Sequence, residues 1–274
     1  LCPRACKVNR AENELGVCKV TSQIKVARAA LHHWEEGCIS GTKGSGAVFF
    51  SGCALHCVFC QNEEISHGKV GKIISRERLA EIFLELQEKG AANINLVTPT
   101  HYIPQIRDAL LLAKAQGLNL PIVYNTGGYE SVASLQLLEG LVDIYLPNLK
   151  YYSTELSTTY SHAADYFQVA TAALAEMYRQ VGTPVFDEST GMMKRGMIIR
   201  HLILPGQTKD SKKVLRYLYE TYGDNIYISI MNQYTPLPHL AQIPQLNRKV
   251  TPADVGSIRI LFRAGKVSFF RIGI

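Results

Sequence analysis

The sequence predicts an α/β fold: six strand–helix units in succession that lay down a curved parallel sheet, either doubly wound or a partial barrel. Three observations carry that expectation. Short runs rich in Val, Ile and Tyr recur between amphipathic stretches. The runs do not alternate cleanly, which suits parallel strands buried on both faces. Each run also leads into a loop rich in polar residues, Gly or Pro.

The first strand is "AVFFS" (47–51), and the first long helix is "SRERLAEIFLELQEKG", closed by Gly90. Strand "NINLV" (93–97), helix "IPQIRDALLLAKAQG" closed by Gly117, and strand "PIVYN" (121–125) follow. Helix "SVASLQLLEG" (131–140), strand "VDIYL" (142–146) and a longer helix over 166–182 come next. Strand "MIIRHLIL" (197–204), helix "DSKKVLRYLYETYG" and strand "NIYISIM" (225–231) complete the six units. The tail from "TPADVG" is expected to add one helix and an edge strand, "KVSFF". Three regions result: a cysteine-rich N-terminal segment (1–44), the parallel core (45–240) and a C-terminal extension (241–274).

At 274 residues with 47% hydrophobic and 19% charged content, the chain has the composition of a globular protein with a sizeable core. Its net charge of +6 is mild, and no block of like charges reaches the length of a nucleic-acid-binding tail. Neither a run of eighteen apolar residues nor a signal-peptide pattern is present, so no membrane or nucleic-acid partner is expected. The chain opens at Leu1 rather than Met, so further native residues are expected ahead of it. All seven cysteines (Cys2, Cys6, Cys18, Cys38, Cys53, Cys57 and Cys60) fall in the first 60 residues. An odd, clustered set points to metal binding in a reducing compartment, the cytoplasm, rather than to disulfides.

In parallel α/β sheets ligands bind where the strands end. Here the strand ends are followed by "SGCALHCVFCQN", "TPTHY", "NTGGYES", "PNLKYY", "PGQTKD" and "NQYTP". The first holds Cys53, Cys57 and Cys60 in a C-x3-C-x2-C spacing. Thiolates suit zinc or iron–sulfur clusters. On a [4Fe–4S] cubane, three cysteines leave one iron open to another ligand. The competing reading is a zinc site completed by a distant cysteine.

With these residues in view, "GSGAVFFSGCALHCVFCQN" resembles the radical S-adenosylmethionine (SAM) enzymes, and within them the branch related to the pyruvate formate-lyase activating enzymes. The resemblance runs from about Val26 to Leu237, through "CISGTKGSG", "NLVTPTHY", "DIYLPNLKY", "IIRHLILPG" and "NQYTPL". It implies a partial (β/α)6 barrel, a [4Fe–4S] cluster on Cys53, Cys57 and Cys60, and SAM on the open iron. The implied chemistry is one-electron cleavage of SAM to a 5′-deoxyadenosyl radical that abstracts a hydrogen atom. An electron donor such as flavodoxin or ferredoxin is implied, with a glycyl radical enzyme or other protein as the substrate. The alternatives are a small-molecule or non-glycine peptide substrate, and a non-catalytic iron–sulfur or zinc protein.

The resemblance also assigns cofactor contacts. Phe59 would pack on the adenine, or serve as a core aromatic. Thr98 and Thr100 stand where the family carries a GGE-type stretch that receives the SAM amine. Asn125 and Thr126 match the ribose and carboxylate loop, and Gln233 an adenine or ribose contact. Asn148 replaces an aspartate that helps hold a monovalent cation, and Lys150 would meet a carboxylate. Arg200 is expected to reach the SAM carboxylate or ribose, against a buried structural salt bridge. Tyr234 is a candidate for facing substrate, and no catalytic residue stands out. Cys2, Cys6, Cys18 and Cys38 form one closed set for a second metal site, zinc or iron–sulfur; an additional upstream cysteine gives another.

Overall fold

The computed structural model describes residues 1–259 and 267–268. After an N-terminal stretch with one 3₁₀ turn, Arg10–Glu12, the chain forms β1 (Ile24–His32), α1 (Gly37–Ser40), β2 (Ser45–Phe50), α2 (Glu63–Ser66) and β3 (Lys72–Ile74). Repeating units follow: α3 (Arg76–Glu88), β4 (Ile94–Val97), α4 (Ile103–Ala115), β5 (Ile122–Thr126), α5 (Val132–Gln136) and β6 (Ile144–Pro147). Then come α6 (Thr154–Ser161), α7 (Tyr166–Val181), β7 (Val185–Phe186), β8 (Met193–Leu202), α8 (Thr208–Tyr222), β9 (Tyr227–Met231), α9 (Pro252–Arg259) and β10 (Val267–Ser268).

The sheet runs β10-β9-β8-β6-β5-β4-β2-β1-β3, with β7 hanging on β8. From β2 to β9 every neighbour along this path is parallel, so the six strands read from the sequence are the six that make the core. Their helices start where local chemistry sets them. Ser75 caps α3 by accepting the Arg78 N–H at 3.1 Å, and Pro104 occupies the first turn of α4, where its missing N–H costs nothing. The tail expectation holds in part: α9 forms over "PADVGSIR", and β10 pairs in parallel with β9. The rest of "KVSFF" lies outside the described residues.

Several elements were not read from the sequence: the short α1, α2, β3 and β7, and the longer β1 and α6. β1 pairs antiparallel with both β2 and β3, extending the sheet, although residues 24–32 had been grouped with the cysteine-rich segment. Lys25 and Arg28 interrupt its apolar run, and that broke the signal. α6, "TELSTTYS", is built of Ser and Thr with low helix propensity, and the Ser153 hydroxyl caps it.

The helix-facing side of the sheet forms the main core, in which Val48, Leu96, Tyr124, Tyr145 and Ile199 meet Leu79 and Phe83 of α3, Ile106 of α4 and Leu174 of α7. The concave side is smaller: Val123, Ile144, Leu146 and Ile198 close around Ile39 of α1. Because His32 is in register with Ser45, the turn into α1 passes under the strands' N-terminal ends. Asn93 fastens it there, donating Nδ2–H to the Ile39 carbonyl at 2.7 Å. α1 is therefore the floor of the barrel.

The sheet curls. Asn95 on β4 donates to Glu35 Oε1 at 3.0 Å, while Arg200 on β8 binds the other oxygen of the same carboxylate. In a flat sheet these strands would stand about 14 Å apart, three strand spacings. Among the described residues no helix is long and apolar enough to cross a membrane.

Candidate functional site

The mouth of this barrel collects the loops that follow the strands. The first runs from the end of β2 through Cys53, Cys57 and Cys60. Two groups already donate to its sulfurs: Leu55 N–H to Cys53 Sγ at 3.4 Å and the Ser161 hydroxyl to Cys57 Sγ at 2.9 Å. Burial, sharpened by Cys57, pushes the Cys53 thiol up to about 12, and burial also raises Cys60. Left alone these thiols hold their protons; a thiophilic cation must displace them, so binding is coupled to proton release.

Among the described residues no three His, Cys, Asp or Glu side chains are drawn together tightly enough to hold a single metal ion. A cubane is less demanding, since its cysteines go to separate iron corners. The remaining cysteines also lie elsewhere. Cys2, Cys6 and Cys18 line a different cavity, and Cys38 packs at the floor beside Glu36. That corrects the expected set of Cys2, Cys6, Cys18 and Cys38. Cys38 is near the others in sequence, but α1 carries it to the opposite end of the barrel.

The second and third loops are tied together by a residue the sequence reading passed over. The Glu130 carboxyl, 1% exposed, receives Thr100 Oγ1–H at 2.6 Å, Tyr124 O–H at 3.1 Å and the Thr126 hydroxyl. The Thr100 and Thr126 hydroxyls are thus occupied within the protein and do not reach out as cofactor ligands. Thr98 keeps a different distinction, a left-handed backbone (φ +58°). Such a conformation costs a β-branched residue about 1–3 kcal/mol and tends to cluster at functional sites. Its N–H donates to the Asn125 carbonyl at 2.8 Å, locking strand end to strand end. The Asn125 side chain has no hydrogen-bond partner among the described residues.

Burial raises the Glu130 carboxyl to about 7, although the three hydroxyl donors pull it down. The folded state therefore holds a proton that the unfolded chain releases near its ordinary 4.5. Stability from this group is intact below about 4.5 and is lost as pH rises through about 7, a cost on the order of 3 kcal/mol. Glu130→Gln, a neutral isostere, is expected to flatten the fall in urea midpoint between pH 5 and 7.5. A variant as steep as the wild type would assign the slope to another group.

The fourth loop is clamped to the third through Tyr166, whose hydroxyl bridges the Gly127 and Asn148 carbonyls at 2.8 and 2.9 Å and accepts the Lys150 N–H at 3.0 Å. Asn148 turns its Nδ2–H to the Thr126 carbonyl at 3.0 Å, so the amide serves the backbone. At Gly128 (φ +84°) a β-carbon would lie 2.1 Å from the Asn148 oxygen. Gly128→Ala is expected to pry these loops apart and lower the thermal midpoint by several degrees. An unchanged midpoint would mean that the loops are not held in this register.

Lys150 stands with Nζ 5.9 Å from the centre of the Phe59 ring, and its charge is felt at Cys60. Phe59 itself is buried, edge-on to Tyr151, Tyr160 and Tyr234 at 6.3–6.5 Å. It is the core aromatic rather than an exposed stacking platform. Tyr234, expected to face substrate, is likewise buried and donates to the Leu246 carbonyl. Gln233 differs: its Oε1 is buried without a partner, an acceptor left open at the end of β9.

Arg200 forms the buried structural salt bridge rather than a cofactor contact. It is 8% exposed, and its guanidinium is held by Glu35 and Glu36 from the floor, with Nε donating to Glu36 Oε1 at 2.8 Å. Burial alone would raise Glu36, but the Arg200 charge and hydrogen bonds outweigh it and keep the carboxyl below its ordinary range.

Comparison with known proteins places this arrangement. The profile of the radical SAM superfamily matches residues 47–218. The uncharacterized protein MJ0674 of Methanocaldococcus jannaschii is 28% identical over 264 residues, covering 93% of this chain and 71% of its own. A radical SAM methyltransferase from Sphaerobacter thermophilus superposes with a TM-score of 0.55 at 15% identity, over 82% of this chain and 65% of that one. SuiB of Streptococcus suis bound to S-adenosylmethionine gives 0.54 at 14% identity, over 80% and 47%. The chain thus spans less than two thirds of these solved structures. The matched span takes in both the cysteine loop and the strands that carry it. For that reason the chain belongs to the radical SAM superfamily, and a [4Fe–4S] cluster and SAM are the cofactors that membership implies.

Proposed function

We propose that this radical SAM enzyme abstracts a hydrogen atom from a polypeptide, as an activase that installs a glycyl radical on a partner protein. The observation that carries this reading is "GSGAVFFSGCALHCVFCQN", whose spacing and flanking residues resemble the activase-related branch. When bound, the cluster and SAM supply a one-electron cleavage that releases a 5′-deoxyadenosyl radical. Cys53, Cys57 and Cys60 hold the metal from a loop fixed by the Leu55 N–H and the Ser161 hydroxyl. Lys150 offsets the negative charge gathered there. The open Gln233 acceptor, the Asn125 amide and the strained Thr98 backbone line the rim as contacts for the polar ends of SAM.

A cytoplasmic flavodoxin or ferredoxin serves as electron donor in this reading. A second metal, zinc or iron–sulfur, belongs to it as well, on the N-terminal cysteines. The rival substrate, a small molecule or a non-glycine side chain, is favoured by Asn148. An amide that serves the Thr126 carbonyl is a poor ligand for the cation that an aspartate helps hold in related activases. The two are separated by incubating enzyme, SAM and reductant with partners encoded nearby, their glycines deuterated. Deuterium in 5′-deoxyadenosine with a glycyl radical signal by electron paramagnetic resonance is expected. Unlabelled 5′-deoxyadenosine and no such signal from any partner would favour the rival.

A further inference from the structure

Three sulfurs outside the cluster loop converge beside it. Cys2, Cys6 and Cys18 line one cavity of about 340 Å³, formed where the N-terminal stretch folds over the end of β2. A β-carbon placed on Gly16 would stand 3.4 Å from Cys6 Sγ and 3.6 Å from Cys18 Sγ, so both sulfurs flank one point. The Val17 N–H already donates to Cys6 Sγ at 3.4 Å, a contact that favours a thiolate.

His101 lines the same cavity. It is 1% exposed, and its Nε2 lies 2.7 Å from the Ser51 carbonyl. A carbonyl only accepts, so Nε2 carries the hydrogen and Nδ1 the lone pair. Nδ1 is buried with no hydrogen-bond partner. A buried acceptor without a partner is costly unless something binds it. Metal-ligating histidines show this pattern, with one ring nitrogen on a backbone carbonyl and the other on the metal.

We infer that Cys2, Cys6, Cys18 and His101 form a second metal centre. Three thiols and an imidazole take a thiophilic metal, as one zinc ion or as an iron–sulfur cluster. Like Cys53, Cys57 and Cys60, these side chains do not yet stand at single-ion distance, so binding draws them together. The N-terminal stretch is stitched to the cluster loop at three places. Arg4 Nε donates to the Ala54 carbonyl at 2.8 Å, His56 Nε2 meets the Val17 carbonyl at 2.6 Å, and the Cys18 carbonyl lies 2.6 Å from where Gly52 (φ +93°) would carry a β-carbon. Gly52 and Ala54 flank Cys53. Metal at the second centre therefore fastens the loop that presents the first; as a cluster, it also offers electrons a path inward.

The test starts from the full chain with Cys53, Cys57 and Cys60 all replaced by alanine and purified without oxygen, which isolates the second centre. We expect it to retain either about one zinc or about four irons with matching acid-labile sulfide per chain; the first identifies a structural ion and the second a cluster. Adding Cys6→Ser or His101→Ala should weaken retention against a chelator roughly tenfold or more. His101→Cys should restore it, which a merely structural histidine would not allow. Neither metal above trace level in the parent would overturn the centre. Cys6→Ser and His101→Ala variants that hold metal as tightly as the parent would overturn the ligand set.

Discussion

Cys57→Ala is expected to remove the part of the iron–sulfur absorption that the three-cysteine loop contributes to anaerobically reconstituted protein and to reduce SAM cleavage to background, while the fold persists. Cys57 is one of three thiols on a loop whose backbone is held by other groups. Cys60 N–H donates to the Cys57 carbonyl at 2.9 Å, and Val58 N–H to the Tyr160 carbonyl at 2.9 Å. The loop is anchored further by Gln61 Nε2–H to the Thr235 carbonyl and by His239 to the Val58 carbonyl. Losing one sulfur removes one of the three proposed cluster ligands without unpicking these anchors. The accompanying change in unfolding free energy, read from urea titration, is therefore expected to stay within about 1 kcal/mol. A variant that keeps a full complement of iron in a cluster would show that other residues carry it.

Arg200→Met is expected to destabilise the fold by about 3–5 kcal/mol, because it strands two carboxylates in the barrel with no cation to answer them. The Glu36 side chain is fully buried and that of Glu35 is 6% exposed. Removing all three charges together, in Arg200→Met with Glu35→Gln and Glu36→Gln, should recover much of the loss, since the penalty comes from the imbalance. The pH dependence runs opposite to that of Glu130. Glu36 is held below its ordinary value, so its contribution is present above that value and is lost as pH falls through its folded one. Urea midpoints from pH 3 to 8 measure both. If Arg200→Met kept wild-type stability and lost only SAM affinity, Arg200 would be a cofactor contact after all.

How much could be read from the sequence follows from how local each signal was. The parallel strands were legible because each is a short apolar run bounded by Gly, Pro or polar residues, as in "NINLV" and "PIVYN". The cysteine loop was legible because its three sulfurs lie within eight residues. Arg200 was not, because its partners are 164 and 165 residues away. An inward guanidinium reads the same whether it meets a cofactor or a pair of glutamates. Thr100 and Thr126 were placed correctly at strand ends, although Thr126 closes β5 itself, but where their hydroxyls point depends on Glu130, a buried carboxyl with no sequence signature. Phe59 shows the same limit: its position beside Cys60 was plain, while its burial among three tyrosines needed residues 151, 160 and 234 brought together. Cys38 lies close to the other cysteines in sequence, and only the turn into α1 reveals that it belongs to the floor.

The three thiols at the mouth of this barrel are proposed to carry a cluster that works on SAM. The most direct measurement is anaerobic reconstitution with iron and sulfide, followed by incubation with SAM and a strong one-electron reductant, with 5′-deoxyadenosine quantified by chromatography. 5′-Deoxyadenosine and methionine are expected in equal amounts, dependent on reductant and lost in Cys57→Ala. A protein that fails to take up a cluster, or takes one up and releases no 5′-deoxyadenosine, would contradict that role.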